Sequence, residues 1–341
     1  MKHYPLSTLP CRPISPLRSM LLVAAVFGVM ALPGVAVAQQ QEQSSAAAPP
    51  PVATNAPTTT TEKPKAPPAE YATEKDIFYY EGDAAAKADA YQKEKCRLDL
   101  YHPTNRPGFA TVIWLHGGGL TGGKRGIPGT MKEKEIAMVA VGYRLSPHAA
   151  MPAFFEDAAA ATAWTLRNIH KYGGDPRKVF LAGHSAGGYL AAMVAMDPQW
   201  LKAHGLTAMD LAGVMPVSAQ VTTHFLVKKL NGDTGPEFRP VVDAWAPLHW
   251  ARKDLPPICL ITGDRRVEYK SRVEENEFFA ISLKNLGHPT VEFYEMGGLT
   301  HTSIVEGSTI LMRQFVRNIT NPPAPPAPVA TAPTPPATAA P

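Results

Sequence analysis

Cysteine is nearly absent: there are three in 341 residues. That excludes the small secreted scaffold held by disulfides. No Cys/His group has the spacing of a zinc site, so no metal is expected, and no long internal repeat is evident. Long apolar runs are missing too. Met20 to Leu32 is the most apolar stretch, and it is too short to span a bilayer comfortably. Charge is sparse at 18% of residues, and lysine and arginine are scattered without a patch interleaved with aromatics. The net charge of +4 includes a basic leader, so it gives no reason to expect a nucleic-acid partner.

Proline is plentiful, and it gathers at the two ends. Residues 1–38 read as a signal peptide: Lys2, Arg12 and Arg18 precede the apolar stretch, and Ala36-Val37-Ala38 supplies a small-residue cleavage pattern. Gln39 is then the expected mature N-terminus, the expected location is secreted or periplasmic, and no stable membrane insertion is expected after cleavage. An uncleaved anchor is the competing reading. Cys11 lies before the apolar stretch, so it does not fit a lipidation site after one. Residues 39–70 and 321–341 are rich in Pro and Ala, with Thr in both and almost no aromatics. Neither buries enough apolar surface to offset the entropy of ordering, and both are expected to be disordered, extended tails.

Residues 71–320 remain, a length that suits one α/β domain. Residues 76–80 and 95–101 read as an early β-hairpin region. Strands are expected at 111–115, 136–143, 178–182, 211–217, 257–262 and 290–295. Helices are expected over 154–170, after the elbow at 185, over 271–286 and over 302–319. Alternation of strand and helix, with continuously apolar strands, predicts a mostly parallel sheet covered on both faces. Cys259 falls inside such a strand, where a buried thiol is expected rather than a disulfide to Cys96.

The chemistry gathers at two strand ends. Lys178 to Ala182 runs into Gly183-His184-Ser185-Ala186-Gly187 and then into an Ala/Leu/Met-rich helical run. A serine on a sharp strand-to-helix turn needs small neighbours two residues away, and both are glycine. The bland alternative is a turn whose serine only caps the helix. Upstream, the strand at 111–115 ends in His116-Gly117-Gly118-Gly119. A glycine run there lets backbone N–H groups face a substrate oxygen, which is what an oxyanion hole requires. Ser185 is the candidate nucleophile. Ala186 with Gly118 and Gly119 are the candidate oxyanion donors, and His116 is expected to brace the loop.

These stretches carry a resemblance. VIWLHGGGLTGGKR, VAVGYRLSP, FFEDAAAATAWTLRNI, GGDPRKVFLAGHSAGGYLA and GLTHTSI, spread over 95–317, resemble the α/β-hydrolase superfamily on its hormone-sensitive-lipase-like and feruloyl-esterase-like carboxylesterase side. The resemblance implies an eight-stranded α/β-hydrolase sheet, esterase chemistry and no cofactor. It also implies the chain order Ser, then Asp or Glu, then His. His301, in a loop between a strand and a helix, is the expected base. His249 precedes the acid region, His288 reads as a surface turn residue, and His184 is expected to support the site without reacting. For the acid, the family's G-x-x-D-P is replaced by Gly263-Asp264-Arg265-Arg266-Val267-Glu268. Asp264, leaving the strand almost at once, is favoured, Glu268 is the alternative, and Asp243 is a distant third. The segment 218–255 carries Phe225, Phe238, Trp245 and Trp250, read either as a short cap or as extra core. A secreted serine carboxylesterase acting on short-chain or polymer-linked esters is therefore expected. An amidase or peptidase on the same scaffold, or a binding domain displayed by its tails, remains open. The oligomeric state is not legible.

Overall fold

Continuous apolar stretches become central strands when both of their faces can be buried, and that condition is met here. A computed structural model of the chain describes residues 67–322. The expected leader at 1–38, residues 39–66 of the expected first tail and 323–341 of the expected second lie outside the described residues. Residues 67–70, expected to belong to the disordered first tail, are instead bonded to the domain, because β2 and the turn after it offer them partners. The Asn105 amide donates to Pro68 O at 2.9 Å, and Thr104 N–H donates to Glu70 O at 2.9 Å.

Among the described residues the elements in chain order are β1 (Tyr71–Phe78), α1 (Gly82–Lys87), α2 (Ala90–Lys95), β2 (Arg97–Pro103), β3 (Phe109–Leu115) and β4 (Ala137–Val141). Then come α3 (Ala153–Asn168), β5 (Gly174–His184), α4 (Ala186–Met196), α5 (Pro198–Lys202), β6 (Gly213–Val217) and α6 (Phe225–Leu230). The described residues continue with β7 (Ile258–Thr262), α7 (Arg272–Asn285), β8 (Val291–Glu295), α8 (Ile304–Gly307) and α9 (Thr309–Thr320). The eight strands form one sheet in the order β1-β2-β4-β3-β5-β6-β7-β8. β2 runs antiparallel to both β1 and β4, and every pairing from β4 to β8 is parallel.

The early hairpin region forms as expected, with β1 on β2, although α1 and α2 interrupt it. The expected last helix is divided into α8 and α9 at Ser308, beside Gly307, whose Cβ would stand 2.3 Å from Leu299 Cδ1.

Alternate residues of each central strand feed opposite cores. Ile113, Leu115, Val179 and Leu181 pack with α3 and α4, while Val112, Trp114, Phe180 and Ala182 pack with α9. α4 is buried along its whole length, which explains its uniformly apolar sequence. Cys96 and Cys259 are buried and unbonded.

The topology gathers the site. β3 lies between β4 and β5, so the chain reverses its direction of travel across the sheet there. The carboxyl ends of β3 and β5 open on the crevice where open α/β sheets bind ligands. His184 pairs with Val217, and Val217 with Ile261. The segments that follow β5, β6 and β7 therefore leave the sheet side by side, next to the one that follows β8.

Candidate active site

Ser185 sits at the turn between β5 and α4 with φ 54° and ψ −117°, outside the ordinary regions for a side-chain-bearing residue. Its N–H donates to Val217 O at 2.9 Å, which fixes the turn to β6. The flanking glycines are steric necessities. A Cβ on Gly183 would stand 2.4 Å from Gly187 O, and one on Gly187 would stand 2.1 Å from Leu115 O. The elbow thus presses directly onto the end of β3.

His301 lies in the segment between β8 and α8. Its Nε2 is 2.9 Å from Ser185 Oγ and its Nδ1 is 2.6 Å from Glu268 Oε1. A carboxylate only accepts, so Nδ1 carries the proton and Nε2 is left to accept from the serine hydroxyl. The Glu268 side chain is wholly buried. Oε1 also accepts from Tyr269 N–H at 2.6 Å, while Oε2 accepts from Ser218 Oγ at 2.6 Å and Gly263 N–H at 2.9 Å. Burial alone would raise its pKa. The hydrogen bonds from His301, Ser218 and Tyr269 outweigh burial and bring it to about 2.

Glu268, not Asp264, is therefore the carboxylate on His301. The reason is one helical turn. Val267 and Glu268 N–H both donate back to Asp264 O, at 2.9 and 2.7 Å, which coils the loop and returns Glu268 towards the strand end. Asp264 faces the other way. It accepts from the Arg266 guanidinium, from Arg266 N–H at 3.0 Å and from Gly298 N–H at 2.7 Å. These bonds, Arg266 first, hold its carboxyl well below the usual range. With Asp264 N–H donating to Leu299 O at 2.8 Å, Asp264 ties the acid loop to the histidine loop. Asp243 is bonded to Thr223 Oγ1 and Trp245 N–H within the 218–255 segment.

The glycine run lies against the serine: a Cβ on Gly117 would be 3.3 Å from Ser185 Cβ. Gly118 and Gly119 have φ of 123° and 62°, and with Ala186 their N–H groups donate to no backbone carbonyl among the described residues. His116 braces this loop. Its Nδ1–H donates to Gly117 O at 2.7 Å, its ring stacks on Tyr143 at 4.3 Å, and Tyr143 Oη–H donates to His116 O at 2.6 Å. His184 donates from Nε2 to His301 O at 2.7 Å, and burial, then the neighbouring His301, pushes its pKa down to about 4. It is a neutral support for the histidine loop.

His249 packs edge-on to Trp250, and His288, expected at the surface, is buried below its turn with Nδ1 accepting from Thr290 N–H. The aromatics of 218–255 divide between the two roles considered for them. Phe225 comes within 3.4 Å of the Cβ position of Gly119, Phe238 lies 5.9 Å from Phe225 and 5.7 Å from Tyr269, and Tyr269 lies 5.3 Å from His301. These rings arch from the glycine run to the histidine. Trp245 instead stacks on Phe155 in the core. Two contributors escaped the sequence reading, Tyr269 and Ser218. The one available signal was position, directly after the acid for Tyr269 and directly after β6 for Ser218.

Among the described residues, no group of His, Cys, Asp and Glu could hold a metal ion, and no helix is long and apolar enough to cross a membrane.

A family model described as BD-FAE matches residues 98–205, which contain the glycine run and the serine elbow. The isoprenylcysteine alpha-carbonyl methylesterase ICME of Arabidopsis thaliana is 27% identical over 241 residues, covering 61% of this chain and 54% of that protein. The esterase LipC of Mycobacterium tuberculosis is 28% identical over 231 residues, covering 60% of this chain and 56% of that protein. The chain thus spans about half the length of these curated relatives. Among solved structures, a truncated form of a carbohydrate esterase from gut microbiota superposes with a TM-score of 0.59 at 18% identity, covering 73% of this chain and 96% of that one. The chain has the α/β-hydrolase fold and resembles the hormone-sensitive-lipase-like and feruloyl-esterase-like carboxylesterases of that superfamily.

Proposed function

We propose that the protein is a serine carboxylic ester hydrolase working through an acyl-enzyme on Ser185. The observation that carries this reading is the unbroken line of hydrogen bonds from Glu268 through His301 to a serine held at positive φ. Ser185 Oγ attacks the ester carbonyl while His301 Nε2 takes its proton, and the tetrahedral oxyanion is met by the N–H groups of Gly118, Gly119 and Ala186. The alcohol leaves with the proton from Nε2. Water then repeats the sequence on the acyl-enzyme, giving the acid and free Ser185. Glu268 stays ionised throughout and stabilises the imidazolium. The esterase names of the relatives support the reaction class, and the arch of Phe225, Phe238 and Tyr269 close above the site supports short acyl groups, on free or polymer-linked esters.

Hydrolysis of p-nitrophenyl esters from acetate to palmitate by the 39–341 chain tests this. kcat/KM is expected to be highest for the short chains and to vanish in Ser185→Ala. Undiminished turnover by that variant, or preference for palmitate, would overturn it. The basic residues, apolar stretch and Ala-x-Ala pattern within 1–38 support export with Gln39 as the first residue, and exported protein whose intact mass still includes residues 1–38 would contradict that.

A further inference from the structure

The fold brings two short basic stretches, 93–97 and 124–125, together around one cavity. Lys93 and Lys95 come from α2, Arg97 from β2, and Lys124 and Arg125 from the segment that continues the glycine run. The cavity measures about 510 Å³, and His116 and Tyr143 line it. It therefore lies at the carboxyl ends of β3 and β4, on the same rim of the sheet as Ser185. His116 is common to both places: it lines the cavity, and the next residue, Gly117, abuts Ser185.

Among the described residues two carboxylates line this cavity, Asp76 and Glu94. Asp76 is paired with Arg125, which also lies 3.1 Å from Asp99 outside the lining, and Glu94 is paired with Lys95 at 2.9 Å. Arg97 donates to the carbonyls of Lys93 and Asp76, at 2.8 and 2.7 Å, and so keeps its full charge. Lys93 and Lys124 have no carboxylate partner among the described residues, and both are exposed. The lining thus holds five cations against two carboxylates, and with Asp99 counted against Arg125 the excess is two positive. A concave site with such an excess concentrates anions from solution.

We propose that this cavity binds an anionic stretch of the substrate, with carboxylate or phosphate groups carried by the same molecule as the ester at Ser185. The proposal rests on the esterase reading and extends it to polyanionic esters, held by Lys93 and Lys124 while the ester group reaches across the His116–Gly119 loop to the serine. Contacts of this kind are partly exposed and individually weak, so they act together and yield to salt.

The test compares acetylated polygalacturonate, acetylated neutral xylan and p-nitrophenyl acetate in the full chain and in the Lys93→Gln/Lys124→Gln variant. KM for the acidic polymer is expected to rise about five- to tenfold in the variant. Raising salt to about 0.5 M should have the same effect on the unaltered chain. KM for xylan and p-nitrophenyl acetate should not move. Equal KM changes on acidic and neutral polymers, or none, would overturn the proposal. Trigalacturonate and tripolyphosphate as competitors separate the two sources of charge, and failure of both to compete also overturns it. Calorimetric binding of both anions to Ser185→Ala, with and without the lysine substitutions, decides the site independently of turnover. Lost ester hydrolysis with retained lysine-dependent binding would sink the esterase reading and leave the site standing. No lysine-dependent binding would sink the site alone.

Discussion

Replacing Glu268 by glutamine tests the acid assignment. The carboxylate accepts four hydrogen bonds, two on each oxygen. An amide has one accepting oxygen, so its NH2 group must replace one of them. With NH2 in the Oε2 position, Ser218 can turn its hydroxyl to accept, but the Gly263 N–H is left facing a donor. With NH2 in the Oε1 position, the Tyr269 N–H is opposed and His301 Nδ1 is forced to accept, which moves the ring proton to Nε2 and blocks the serine. The first arrangement keeps the tautomer and loses only the charge beside the imidazolium, for about 10²-fold in kcat, taking a charge-assisted bond at its upper strength. The second approaches the loss of about 10⁴ known for a wrong tautomer in a related triad. Glu268→Gln should therefore lose between about 10² and 10⁴ in kcat on p-nitrophenyl acetate, with circular dichroism unchanged. Asp264→Asn keeps an acceptor for Gly298 N–H and gives up a bond to a largely exposed guanidinium, so its kcat should stay within a few-fold of the parent. A crippled Asp264→Asn beside a near-normal Glu268→Gln would refute the assignment.

Two further predictions follow from the same geometry. Glu268 titrates at about 2 in the fold against an ordinary 4.5, so the folded form binds the proton less readily than the unfolded chain. Its contribution, up to about 3 kcal/mol, is complete above pH 4.5 and is lost as pH falls towards 2. Melting temperature should therefore drop more steeply over that window in the parent than in Glu268→Gln, and parallel curves would contradict this. Gly118→Ala places a Cβ 2.2 Å from Gly122 O at a φ of 123°, so the glycine run must shift. Its kcat should fall about 10²- to 10³-fold, the loss typical of a displaced oxyanion donor, and a normal kcat would remove Gly118 from that role.

Much of this was legible in the sequence because it depends on local rules. The elbow glycines, the glycine run after β3 and the apolar strands each follow from what the immediate backbone can tolerate or bury. His301 was legible through chain order and its place after a strand. The acid was not, because distance along the chain favours Asp264 and only the turn that returns Glu268 towards the strand decides between them. That turn is made by Val267 and Glu268 N–H donating to Asp264 O, and it is held by Gly298 N–H of a separate loop donating to the Asp264 carboxylate. The buried state of His288 and the meeting of the basic stretches 93–97 and 124–125 around one cavity are likewise products of long-range packing, which no local pattern encodes.

The central claim is that Ser185 is the nucleophile and that His301 activates it. Peptide mapping by mass spectrometry, after exposure to an alkyl phosphonate ester, tests this most directly. The unaltered chain should carry one phosphonyl group on the peptide containing Ser185, formed slowly or not at all in His301→Ala and absent in Ser185→Ala. A phosphonyl group on any other residue, or equally fast labelling of Ser185 without His301, would contradict the account.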